Sequence, residues 1–145
     1  MGFGMGAALG AQCGMPKQRV FLVTGDGSFH MNLNELVTLK SYNLPVVVIV
    51  LNNGVLGMVR QWQKLFYENR FSQTDPKRAT DFVKLAESFG IPGFRLDKAE
   101  DIKEVFDKAL GLNGPAVIDC VISPDANVLP MIPPGKTVKD IVTSM

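Results

Sequence analysis

The chain has 145 residues, of which 46% are hydrophobic and 20% charged, with 15 basic against 14 acidic side chains and a formal charge of +1. That is the size and composition of one folded domain with one core; bulk disorder is excluded, and the lack of a basic excess argues against a nucleic-acid partner held through its phosphates. The longest apolar run, Pro45 to Leu51, has seven residues, far short of the about 20 that a membrane-spanning helix needs.

Met1 to Gly14 (MGFGMGAALGAQCG) carries no basic leader region and opens straight into glycines, with no cap and no preceding strand. The chain is therefore expected to be the C-terminal piece of a longer polypeptide, with Met1 an internal residue. Ala7 to Cys13 reads as a short helix that packs closely through small residues, ended by Gly14-Met15-Pro16. Arg19 to Thr24 (RVFLVT) reads as a buried strand and Gly25 to Ser28 as a loop. Asn32 to Ser41 places Leu33, Leu36, Val37 and Lys40 at helical spacing. Val46 to Leu51 (VVVIVL) is apolar on both faces, as central parallel strands are, and Asn52-Asn53-Gly54 forms a second loop.

Leu56 to Tyr67 predicts a helix carrying Met58, Trp62 and Phe66 at four-residue steps. Asn69 to Arg78 is polar and loop-like. Asp81 to Phe89 predicts an amphipathic helix ending at Gly90, Gly93 to Leu96 a short strand, and Ala99 to Leu110 a helix with Ile102, Val105, Phe106 and Ala109 on one face. Pro115 to Ile122 predicts the last strand. The proline-rich tail from Ser123 reads as an ordered loop draped on the surface or on a neighbour.

Strands alternating with helices predict an α/β fold: a three-layer sandwich, with a mostly parallel sheet and helices on both faces, in a single domain over residues 1–145. Ligands of such sheets bind at the carboxyl ends of the strands. The two sharpest loops both sit there, after consecutive strands, so their tips can lie side by side.

Asp26 lies between two glycines directly after a strand, and those glycines allow backbone shapes that turn amide N–H groups toward a phosphate. Asp26 is a hard oxygen ligand, and Asn53 offers an amide oxygen from the next strand end. With a main-chain carbonyl, phosphate oxygens and water they suit octahedral Mg²⁺. Each loop alone reads equally well as a turn; together, 27 positions apart with a helix between them, they are far more specific.

The segment from Gly25 to Asn53, which opens with GDG and closes with NN, resembles the thiamin-diphosphate motif. MGFGMGAALGAQ before it, GMVRQWQKLFY after it and NVLPMIPPGK near the end resemble the C-terminal domain of acetolactate synthase (acetohydroxyacid synthase) large subunits, over nearly the whole chain. The resemblance implies that Asp26 and Asn53 are the side-chain ligands of Mg²⁺ and that the main-chain oxygen of Val55 is the third protein ligand. It implies that Gly25, Gly27 and Ser28 hold the diphosphate, and that Met1 wedges under the cofactor and bends it until it deprotonates itself. The activated cofactor would attack pyruvate, CO₂ would leave, and the two-carbon unit would pass to a second 2-keto acid, pyruvate or 2-ketobutyrate, in branched-chain amino-acid synthesis. Trp62 and Met58 become expected walls of the substrate channel.

The same resemblance implies FAD in the full-length enzyme, mainly outside this domain, a homodimer or homotetramer, a regulatory small subunit as a further partner, and a cytoplasmic setting. The chain departs from many relatives at Met5-Gly6, where Leu-Pro is common; the expected consequence is a local change at the start of the helix. In the family a Glu of a partner subunit's N-terminal domain activates the cofactor. No residue here matches it, so this chain alone is expected to be inactive.

Alternatives remain at several positions. Gly2-x-Gly4-x-x-Ala7 fits a loose dinucleotide fingerprint, but no strand precedes it, and close helix packing is the better reading. His30 reads as a hydrogen-bonded loop histidine. Cys13 and Cys120 read as free core thiols of a reducing compartment. Without the resemblance, the Met58–Trp62–Phe66 stripe would be core. The competing functions are another thiamin-diphosphate 2-keto-acid decarboxylase and a non-catalytic Mg-diphosphate binding module.

Overall fold

The computed structural model describes residues 1–144. Its sheet contains β1 (Phe21–Gly25), β2 (Val47–Asn52), β3 (Gly93–Leu96) and β4 (Ala116–Val121), all parallel, in the order β1-β2-β4-β3. Around it run α1 (Phe3–Gly14), α2 (Asp26–Phe29), α3 (Leu36–Ser41), α4 (Gly57–Phe66), α5 (Phe82–Ser88) and α6 (Ile102–Leu110). The expected α/β architecture is present, and these four strands are parallel throughout.

Strand β2 explains the layering. Val48 and Val50 join one core with Leu22, Val117, Met5 of α1, Leu36 and Leu39 of α3, and Phe82 of α5. Val47 and Ile49 join a second core with Ile118, Leu96, and Val105 and Ala109 of α6. Side chains alternate faces along a strand, so a strand that is apolar at every position is satisfied only between two helix layers.

Strand β1 departs from the expectation of a buried strand. It is an edge strand: Leu22 faces the core, but Phe21 and Val23 are exposed. The reason is that α6 packs over β3 and β4 and leaves that side of β1 open. Two expected helices also begin differently. A 3-10 turn at Leu33–Glu35 precedes α3, where Leu39 is buried and Val37 exposed. Another at Ala99–Asp101 precedes α6, and Ile102 turns outward, leaving Val105 and Ala109 as the buried face.

One glycine of α1, Gly4, faces a close neighbour, whereas Gly6, Gly10 and Gly14 meet nothing within 4 Å. A Cβ on Gly4 would stand 2.8 Å from Leu22 Cδ1, so a larger residue there would require the Leu22 side chain to shift. The helix runs unbroken through Met5 and Gly6, with Met5 in the core. Cys13 is exposed, contrary to the expected core position, because it falls on the outer face of α1; Cys120 is half-buried, and burial pushes its thiol pKa up. Both are free thiols. The tail folds back with a 3-10 turn at Val138–Asp140 and an antiparallel bridge between Met131 and Val142.

Candidate functional site

Gly25 pairs with Leu51 across β1 and β2, so the two adjacent strands end level and release Asp26 and Asn53 at the same edge. The segment Gly25–Ser28, expected as a loop, is extended only at Gly25; from Asp26 it winds into α2, closed by a 3.1 Å hydrogen bond from the His30 amide to the Asp26 carbonyl. The loop after β2 touches this turn. A Cβ on Gly27 would stand 3.4 Å from Leu56 Cδ2 and 3.5 Å from Arg78 Nη1. Asn53 is fixed in turn: its Oδ1 accepts from the Val55 amide at 3.1 Å, and a Cβ on Gly57 would collide with its Nδ2 at 2.8 Å.

Asp26 is buried, and its Oδ2 accepts from Arg78 Nη2 at 2.7 Å. By sequence Arg78 is only the end of a polar loop, and no local signal ties it to Asp26, which lies 52 positions away. Thr74 and Thr80 fasten the same segment on either side of Arg78. The Thr74 carbonyl accepts from the Leu56 amide at 2.8 Å, and His30 Nε2 bonds the Thr80 hydroxyl at 2.8 Å. His30 Nδ1 donates to the Asp26 carbonyl at 2.7 Å, and its ring meets Phe82 edge-on. His30 is thus the hydrogen-bonded histidine the sequence suggested.

Met1 and Ser28 are brought together by α1. The Gly2 amide donates to Ser28 Oγ at 2.9 Å, and Gly2 adopts the left-handed φ of 78° that favours glycine. Met1, 77% exposed, therefore projects one residue from the Ser28 hydroxyl. That hydroxyl keeps its own proton for donation to another acceptor.

Helix α4 leads away from the second loop. Met58, Trp62 and Phe66 are 49%, 40% and 41% exposed, so the stripe is not core. Met58 and Trp62, with Val59, Gln63, Tyr67 and Arg70, line a groove of about 560 Å³. The helix is held by polar contacts instead. Buried Gln61 accepts from the Val128 amide at 2.8 Å and donates to the Val128 carbonyl at 3.0 Å, and Arg60 pairs with Asp125 and lies 4.2 Å over the Phe71 ring.

The two oxygen donors at these strand ends, the buried Asp26 carboxylate and the Asn53 side-chain amide oxygen, suit a hard divalent cation. Among the described residues no three His, Cys, Asp or Glu side chains cluster, so softer metal chemistry has no ligand set of that kind. One buried donor, Arg78 Nε, has no partner among the described residues, and it lies in the side chain that meets Asp26 and Gly27. A diphosphate oxygen is the acceptor such a donor lacks, so these residues fit a magnesium–diphosphate group. On the far side of β2, Asp119 is fully buried and accepts from Asn52 Nδ2 and Arg95 Nη1, both at 2.9 Å. Burial raises its pKa, against the opposing effects of Asn52 and Arg95.

A parallel sheet with this pair of loops at its carboxyl edge defines an α/β domain whose ligand edge lies at Asp26 and Asn53. The chain belongs to the family described as "Thiamine pyrophosphate enzyme, C-terminal TPP binding domain", which matches residues 1–120. It is 46% identical over 142 residues to a probable acetolactate synthase large subunit of Methanocaldococcus jannaschii, covering 98% of this chain and 24% of that protein. It is 42% identical over 138 residues to the acetolactate synthase large subunit of Cyanidium caldarium, covering 94% of this chain and 24% of the relative. Among solved structures, the thiamine diphosphate-dependent 4-hydroxybenzoylformate decarboxylase of Rhodococcus jostii is similar with a TM-score of 0.78 at 36% identity, covering 85% of this chain and 23% of that one. The chain thus spans about a quarter of the length of these proteins. Among the described residues no helix is long and apolar enough to cross a membrane.

Proposed function

We propose that this chain is the cofactor-binding domain of an acetolactate synthase, which joins pyruvate to a second 2-keto acid, pyruvate or 2-ketobutyrate, with loss of CO₂. The observation that carries the proposal is the joining of Asp26 and Asn53 at one edge of a parallel sheet, in a chain similar over nearly its whole length to acetolactate synthase large subunits. Thiamin diphosphate, when bound, supplies the carbanion chemistry that a protein side chain cannot.

The chain's own part is to bind and orient. Asp26, Asn53 and the Val55 carbonyl would hold Mg²⁺; Gly25, Gly27 and the Ser28 hydroxyl would hold the diphosphate. Met1, tied to Ser28 through Gly2, would support the cofactor's bent shape. Met58 and Trp62 would shape the acceptor channel, since their groove is apolar and opens on the helix that follows the metal loop. FAD, a regulatory subunit and the activating Glu would come from other domains or chains, so the domain alone would not turn over, and the setting would be the cytoplasm.

The test is calorimetric binding of thiamin diphosphate to the intact native protein with and without Mg²⁺, alongside a product assay with pyruvate. Mg²⁺-dependent binding that is lost in Asp26→Asn, with acetolactate as product, is the expected result. Binding that ignores Mg²⁺ and Asp26 would overturn the site; release of an aldehyde in place of acetolactate would favour a simple decarboxylase, the activity named for the Rhodococcus jostii structure.

A further inference from the structure

We propose that Arg78 is a further diphosphate-binding residue of this site, moving from Asp26 to a phosphate oxygen when a divalent cation takes the Asp26 carboxylate. The proposal rests on the cofactor reading above. Three observations lead to it.

The first is the state of the guanidinium. Its Nε and Nη2 form the edge that grips an anion through two parallel hydrogen bonds. Nη2 donates to Asp26 Oδ2 at 2.7 Å, while Nε is buried with no partner among the described residues. Asp26 therefore fills half of an edge built for a two-oxygen anion. A carboxylate or phosphate that offered both oxygens would satisfy the remaining donor.

The second is position. Nη1 lies 3.5 Å from where a Cβ of Gly27 would stand, so the charge sits against the glycine turn at the carboxyl end of β1. Its backbone is bracketed by two cross-links, Thr74 to Leu56 of the second loop and Thr80 to His30 of the first. The segment is anchored at both ends, and the long side chain between the anchors needs only a rotamer change to exchange partners.

The third is charge. A diphosphate together with the Asp26 carboxylate carries more negative charge than one Mg²⁺ neutralises, and the uncompensated part is costly in an enclosed site. Arg78 is the cation in contact with Asp26. Once Mg²⁺ replaces it there, the two positive groups repel, and the diphosphate is the neighbouring anion that can take the arginine.

The experiment measures three affinities by calorimetry in the intact native protein: Mg²⁺ alone, inorganic pyrophosphate with Mg²⁺, and thiamin diphosphate with Mg²⁺. Arg78→Gln is expected to weaken both phosphate ligands by about tenfold or more, while Mg²⁺ alone binds equally or more tightly because its competitor for Asp26 is gone. Arg78→Lys, which keeps the charge but not the fork, is expected to fall between, and it carries the test if the Gln variant does not fold. Unchanged phosphate affinities in Arg78→Gln beside tighter Mg²⁺ would overturn the proposal and leave Arg78 a counter-ion of Asp26 alone, with the cofactor reading intact. Failure of the unaltered protein to bind thiamin diphosphate at all would overturn the cofactor reading, and this proposal with it.

Discussion

The side-chain amide of Gln61 closes a ring of two hydrogen bonds on the backbone of Val128, accepting at 2.8 Å and donating at 3.0 Å. This link, spanning 67 positions, joins the helix that follows the Asn52–Gly54 loop to the proline-rich tail. It also explains how α4 keeps its place with its apolar stripe turned outward: Gln61 is the one buried residue of that helix.

Replacing Gln61 by Leu frees the Val128 amide and carbonyl. Val128 is 63% exposed, so water can take up the freed groups, and the expected cost is about 0.5–1.5 kcal/mol per lost bond. Hydrogen exchange should quicken in both 57–66 and 123–131; protection unchanged in either segment would show that the link does not hold them together.

Trp62→Ala is expected to cost well below the about 3–5 kcal/mol of a buried aromatic, since the ring is 40% exposed and packs edge-on against Phe66. If Trp62 lines the acceptor channel, the effect is chemical. One methylene is worth about 1–3 kcal/mol in such a pocket, so the preference for 2-ketobutyrate over pyruvate should fall about tenfold. Competition between the two acids in the intact enzyme, together with melting temperature, separates the cases: an unchanged product ratio with a large loss of stability assigns Trp62 to packing.

Asp119 sets a pH dependence. Burial raises its pKa in the folded protein, so the folded form holds this proton more tightly than the unfolded form does. Between the ordinary carboxylate value and the raised one, the folded state binds more protons, and stability falls as pH rises through that window. Asp119→Asn cannot ionise and removes this fall. Denaturant midpoints of the two proteins, followed upward from about pH 4, should shift in favour of the variant as pH rises. Parallel curves would contradict the raised pKa.

Gly93→Ala is expected to destabilise by about 1–3 kcal/mol through overpacking. Its Cβ would stand 2.8 Å from the Val83 carbonyl oxygen and 2.9 Å from Val83 Cα, both backbone atoms of α5, so α5 would have to move off β3. Gly6→Ala, which meets nothing within 4 Å, is the control and should be neutral or slightly stabilising by helix propensity. Equal melting temperatures for the two variants would count against the close approach.

Several features were legible in the chain itself because they are local. Apolar runs bounded by Gly, Pro and Asn placed all four strands to within a residue or two, and VVVIVL announced a strand covered on both faces. The motif residues Asp26 and Asn53 were visible because strand ends and glycines are read from neighbouring positions. What the sequence could not reveal depends on partners far along the chain. That β1 is an edge strand follows from the order β1-β2-β4-β3, which no strand encodes alone, and Phe21 and Val23 stay exposed because α6 covers β3 and β4 instead. The outward face of α4 follows from Gln61 finding Val128, not from its period of apolar residues, which by itself reads as core. Arg78 looked like one charge in a polar loop; only folding sets it on Asp26, because an ion pair is decided by distance in space, and the intervening chain leaves no local signal of it.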